Sequence, residues 1–217
     1  MIYDGESNTR LAAIGLGTSI HYQDVNVAVD PGLNRGYATY SGNGNLSIID
    51  ATSLSKLTHV TMPEGSARTA AAHTGRGRAY VQGATAVQAV DGMTYALLGS
   101  IPRWGRVAVN SRMDRIYIAR SSPRELYVVD GATHTVVETI LLPHGDGYPA
   151  VNEATGHVYI AHRYNNAISV VQDMGATRLG VAADHPAEST VPASDRSESD
   201  AALPTAPVET AGDCTSF

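Results

Sequence analysis

One tyrosine, repeated at nearly constant spacing, constrains this chain more than any other feature. Tyr37, Tyr80, Tyr117 and Tyr159 each open a short β-prone run, Tyr37-Ala38-Thr39-Tyr40, Tyr80-Val81-Gln82, Tyr117-Ile118-Ala119 and Tyr159-Ile160-Ala161-His162, at separations of 43, 37 and 42 residues. A second anchor keeps the same period. It is an aliphatic residue, an acid and a small-residue turn at Ile49-Asp50, Val90-Asp91 and Val129-Asp130, with a degenerate copy at Val171-Gln172 and an early one at Tyr3-Asp4. Two independent anchors on one period mean that the chain repeats a single supersecondary unit of about 40 residues.

The unit is clearest in residues 115–140. Ile116-Tyr117-Ile118-Ala119, Leu126-Tyr127-Val128-Val129 and Val136-Val137-Glu138-Thr139-Ile140 are rich in β-branched and aromatic residues, and turn compositions part them at Ser121-Ser122-Pro123 and Asp130-Gly131-Ala132-Thr133. A further strand precedes each tyrosine: Val25 to Val29, Thr69 to Ala72, Val107 to Val109 and Tyr148 to Val151. The residues that follow these strands are Asp30, His73, Asn110 and Asn152, types whose side chains bond to turn backbone. No 3.6-residue apolar stripe runs longer than about two turns. Four strands in about 40 residues make a propeller blade. The expected fold is therefore an all-β β-propeller with four complete blades, at about residues 18–61, 62–100, 101–141 and 142–183. A half blade in residues 1–17 precedes them, its strands Ile2-Tyr3 and Leu11-Ala12-Ala13-Ile14 matching the third and fourth of a unit. A chain that begins in mid-blade is expected to form an open arc, an incomplete ring. The rival is a small closed ring, in which the N-terminal pair completes a blade begun by the last two strands and displaces Ala167 to Val171 from the sheet.

Tyr159-Ile160-Ala161-His162 followed by Asn165-Asn166-Ala167-Ile168-Ser169-Val170-Val171, and Tyr117-Ile118-Ala119 followed by Leu126-Tyr127-Val128-Val129-Asp130, resemble the YVTN-type β-propeller repeat over residues 1 to about 183. The fourth place of the tyrosine strand departs from that pattern, with Tyr40, Gly83, Arg120 and His162 where the family carries Asn. The resemblance implies a propeller scaffold of the kind found in bacterial secreted and surface-layer proteins, hence an extracytoplasmic setting. It transfers no catalytic residue.

Charge divides the chain. From Asp184 onward seven acidic residues face only Arg196, whereas residues 1–183 hold 14 basic and 14 acidic side chains. No broad basic field is available for nucleic acid. The Pro/Ser/Ala-rich acidic segment 184–217 has no strand period and is expected to be disordered. It carries the single cysteine, Cys214, so an intrachain disulfide and a cysteine zinc cluster are excluded. The first residues show neither a basic nor an apolar signal region, and no run approaches a membrane span.

Chemistry concentrates in the loops that lead from one blade to the first strand of the next. Those loops carry the ligand-binding candidates His21, Asp24, Arg68, Arg103, Trp104, Arg106, His144, Asp146 and Tyr148. Arginines clamp carboxylates or phosphates, unless they only pair with Glu64 or Asp146 between blades. Trp104 offers a stacking face for a sugar or a cation, or a plug for the channel mouth. The pairs His21 with Asp24 and His144 with Asp146 are ligand types for a metal, although short His–Asp spacings on loops are common and no metal or other cofactor is expected. No GxSxG, HExxH, P-loop or GxGxxG motif is present, so no catalytic residue is assigned. These observations favour a non-catalytic binding or scaffold propeller that presents its channel-mouth loops to a protein, a glycan or a small ligand. The alternatives are a metal-dependent propeller enzyme of lactonase or lyase type and a truncated remnant of a larger propeller.

Overall fold

Alternation of β-branched runs with Asp, Asn and Gly turns produces eighteen strands and one 3-10 turn (Thr74–Arg76) among the described residues. The computed structural model describes residues 1–16, 25–40, 44–145, 147–175 and 180–182. The tail 184–217, with Cys214 and the disorder expected of it, lies outside them.

Four antiparallel four-stranded sheets follow in chain order. Blade 1 comprises β3 (Val25–Asp30), β4 (Arg35–Tyr40), β5 (Asn45–Asp50) and β6 (Ser55–Thr61). Blade 2 comprises β7 (Ala70–His73), β8 (Arg78–Gln82), β9 (Val87–Asp91) and β10 (Leu97–Ile101). Blade 3 is β11 (Arg106–Asn110), β12 (Arg115–Arg120), β13 (Glu125–Asp130) and β14 (Val136–Leu141). Blade 4 is β15 (Gly147–Asn152), β16 (His157–His162), β17 (Ala167–Gln172) and β18 (Gly180–Ala182). A separate hairpin of β1 (Ile2–Tyr3) and β2 (Arg10–Ala12) stands where the half blade is expected. Because β17 pairs with both β16 and β18, Ala167 to Val171 stay in the fourth sheet. The rival closure, which would expel them, is not adopted.

First strands of successive blades touch, β3 with β7, β7 with β11 and β11 with β15, so the sheets stand radially in propeller fashion. The apolar core is accordingly divided into seams between blades. Tyr37, Leu46 and Ile48 of blade 1 meet Ala70, Ala79, Val81 and Val90 of blade 2. Tyr80, Val87 and Ile101 meet Val107, Ile116, Ile118 and Val129. Tyr117, Leu126 and Val128 meet Val158, Ile160 and Val171. Each large side chain fully buried in a seam contributes about 1.5–3 kcal/mol.

The repeated tyrosine occupies the same register in every blade. Tyr37, Tyr80, Tyr117 and Tyr159 lie on the second strand, opposite Ala28, Ala71, Ala108 and Ala150 of the first. The first three are fully buried and reach into the turn between the third and fourth strands of the following blade. The Tyr117 hydroxyl donates to Asp173 Oδ2 at 2.6 Å, and the Tyr80 hydroxyl lies 3.1 Å from His134 Nε2. The Tyr37 hydroxyl sits over Gly92, where an added Cβ would overlap it. Burial raises the pKa of all three phenols, and the Asp173 bond raises that of Tyr117 further.

Tyr117→Phe leaves a buried carboxylate oxygen of Asp173 without its donor and is expected to cost about 1–3 kcal/mol. Tyr159→Phe, at the half-exposed equivalent position, is expected to change stability by less than about 0.5 kcal/mol. Urea denaturation of both variants measures the contrast; equal effects would show that the blade-to-blade bond carries no special weight.

Candidate functional site

Strand direction places the blade-linking loops at the same end of each sheet as the turns between second and third strands, because both occur where the first strand begins. At that end, blade 3 presents a ladder of cations and rings. Arg120, the last residue of β12, lies over the Trp104 ring at 5.0 Å and donates to the Tyr127 hydroxyl at 3.4 Å. Arg103 stands over the Tyr127 ring at 5.1 Å, and the Tyr127 hydroxyl in turn donates to Glu125. Arg106 at the start of β11 crosses to blade 4, where its guanidinium is 3.6 Å from the centre of the Tyr148 ring and donates to the Tyr148 hydroxyl at 2.7 Å. Gly105 makes the entry to β11 possible. Its φ of +156 and the backbone of Ala119 against it leave no room for a side chain.

Arg103 and Trp104 are therefore joined through Tyr127 and Arg120, while Arg106 and Tyr148 form a second pair at the same end. A guanidinium over a ring face gains cation–π attraction without using its N–H donors on an acid. Neither Arg103 nor Arg120 has a carboxylate within ion-pair distance among the described residues; Arg103 donates instead to the Pro102 carbonyl at 2.8 Å. The arginines of this end do not pair with Glu64, which accepts from the Thr85 amide at 2.6 Å and from the Thr85 hydroxyl. Arg68 has an exposed side chain, while its backbone is engaged on both sides: its amide donates to the Gln82 carbonyl at 3.0 Å and its carbonyl accepts from the Thr39 hydroxyl at 2.8 Å. His144 packs edge-on against His162 at 5.3 Å, and His162 bonds Ser169 Oγ at 2.7 Å. His21, Asp24 and Asp146 lie outside the described residues, and among those described no group of three His, Cys, Asp or Glu is arranged to hold a metal.

The opposite end carries a polar cluster that the repeat did not mark. His73 Nε2 lies 2.8 Å from Asp114 Oδ1, and Arg76 grips the same carboxylate through Nε at 2.6 Å and through its second nitrogen. His73 thus has a partner across the seam, 41 residues away, which local spacing cannot show. A cleft of about 340 Å³ lined by Arg112, Met113, Glu153 and Asp173 opens at this end too, beside the Tyr117–Asp173 bond.

No family model and no curated protein matches this chain. Solved structures do match. The Cps50 (Swd1) β-propeller domain of Myceliophteria thermophila aligns at a TM-score of 0.69 with 10% identity, over 84% of this chain and 63% of that one. The WD40 domain of Toxoplasma gondii coronin aligns at 0.62 with 13% identity, over 71% and 43%. Kuenenia stuttgartiensis hydrazine synthase aligns at 0.59 with 15% identity, over 67% and 44%. This chain spans less than two thirds of each of them, and at these identities the likeness shows the fold: an all-β array of propeller blades.

The Arg76 hydrogen bonds hold the Asp114 carboxyl at a pKa of about 2, against an ordinary 3.8. A folded pKa below the unfolded one stabilises above the unfolded value, and that stabilisation is lost as pH falls through about 2. Asp114→Asn tolerates the positive φ of 54 at this position, so it isolates the charge. It is expected to cost about 1–2 kcal/mol at neutral pH, allowing for partial solvent screening, with the gap to the parent chain closing toward pH 2. Urea melts across that range provide the measurement.

Proposed function

We propose that this chain is a non-catalytic binding propeller of the YVTN-repeat type, whose recognition surface is the loop end of blades 3 and 4. Arg103, Trp104, Arg106 and Tyr148 form that surface, with Arg120 and Tyr127 beneath it. A single observation carries the reading: Arg103 and Arg120 are held over aromatic rings with no carboxylate in ion-pair contact among the described residues. Guanidinium groups set over rings, with Glu125 bound to the Tyr127 hydroxyl and no carboxylate in ion-pair contact with them among the described residues, suit a carboxylate-bearing segment, of which an acidic peptide is the simplest. Arg68 and His144, on neighbouring loops, extend the same face. The fold supports the reading in general terms, since propellers display loops on a rigid scaffold.

Trp104 is the only tryptophan, so its fluorescence reports on this face alone. Titration with a hexaglutamate peptide is expected to give a saturable change in emission. Raising salt from about 0.02 M to about 0.2 M should weaken it, because exposed charge pairs are screened. The double change Arg103→Gln and Arg120→Gln should abolish it. An unresponsive parent chain, or a double variant that binds as before, would refute this assignment.

A further inference from the structure

We propose that the cleft between blades 3 and 4, at the end opposite the loop surface, binds a small linear zwitterion with an ammonium at one end of an aliphatic chain and a carboxylate at the other. This inference is independent of the loop-end site. Its basis is one position in the turn between first and second strands. Gly77, Asp114 and Gly156 hold it in blades 2, 3 and 4, each accepting through its carbonyl an amide from the third-to-fourth-strand turn of its own blade, that of Gly92, Gly131 and Asp173 respectively. In blade 3 the position carries Asp114, and Arg76 and His73 of blade 2 close on its carboxylate. In blade 2 it is Gly77, and Leu33 of blade 1 packs so near that an added Cβ would lie 3.1 Å from the leucine Cδ1. In blade 4 it is Gly156. Beside it lies Met113, the counterpart of Leu33 and Arg76 three residues past the first strand, with its sulfur 3.4 Å from where a Cβ would stand. There the seam opens into the cleft of about 340 Å³, within the size range of small-molecule sites.

The cleft carries charges of both signs that do not pair with each other. On blade 3, Arg112 has no carboxylate within ion-pair distance among the described residues. On blade 4, Glu153 accepts the Ser111 amide at 3.0 Å and has no basic partner among them. Asp173 is more deeply buried, only 3% exposed, and its side chain accepts from neutral donors, the Tyr117 hydroxyl at 2.6 Å and the Gly175 amide at 2.8 Å. A carboxylate taken out of water without a cation beside it favours one that is brought to it. Met113 and Met174 complete the lining with flexible apolar side chains that adapt to a methylene chain. An ammonium at Glu153 and Asp173, a chain along the methionines and a carboxylate in the fork of Arg112 would engage all of these groups at once. A plain cation would leave Arg112 facing a like charge, and a plain anion would meet two acids, so the ligand carries both charges.

Calorimetric titration of the full 217-residue chain with γ-aminobutyrate and with ε-aminocaproate tests this. Saturable binding of at least one is expected. Caproate and hexylamine, each lacking one of the two charges, should bind about tenfold or more weakly. Arg112→Gln and Glu153→Gln should each weaken binding by a similar factor while melting like the parent chain, since glutamine at the second position still accepts the Ser111 amide. The methyl NMR signals of Met113 and Met174 should move on binding, and that of Met93, exposed on a turn of blade 2, should not. Absence of binding by both zwitterions, caproate or hexylamine binding as tightly, either variant binding as before, or a response seen only in Trp104 emission would overturn the proposal.

Discussion

Everything in this molecule depends on a tyrosine crossing from one blade to the next. A four-stranded sheet of this size has two apolar faces and cannot bury either by itself. The second-strand tyrosine solves this with one side chain: its ring fills the seam, and its hydroxyl arrives at the turn of the next blade, where that of Tyr80 meets His134 and that of Tyr117 meets Asp173. An alanine stands opposite it in all four blades. Where the device finds no following blade among the described residues, at Tyr159, the ring is left half exposed.

Turn chemistry supports that packing. Asp50, Asp91 and Asp130 each accept two backbone amides of the turn they open, and Asp4 does so in the first hairpin. The backbone bonds are the leading cause of the lowered pKa of Asp50, Asp91 and Asp130, while the Ser7 hydroxyl leads for Asp4. Asp30, Asn110 and Asn152 do the same work after the first strands. His73 breaks the series and is followed by the 3-10 turn, its ring committed to Asp114 instead. The acids also face a base across the ladder: Arg35 pairs with Asp50 at 2.7 Å and Arg115 with Asp130 at 3.0 Å. In blade 4, where Gln172 replaces the acid, His157 stands in the place of the arginine.

The strands, their order and the equivalence of the four tyrosines were legible because each rests on local alternation and on a period that neighbouring residues reveal. The basic residue two places before each tyrosine was equally legible and was missed; Arg35, Arg78, Arg115 and His157 hold the period as strictly as the acids do. Of the loop candidates, Arg103, Trp104, Arg106 and Tyr148 were recognisable by residue type. Arg120 and Tyr127 were not, since they belong to regular strands and come to lie beside the loop only because β12 ends and β13 begins there. The partnership of His73 with Asp114 was invisible for the same reason.

By itself, the sequence determined that this chain builds blades, how many complete ones it holds and which residues turn between their strands, because period-two burial and Asx turns are local properties. Tertiary structure alone decided which faces are covered and which stay open. Val27 and Val107 are the same residue at the same register, and so are Tyr159 and Tyr117. What separates each pair is a neighbouring blade, a fact of three-dimensional packing that residue type does not carry.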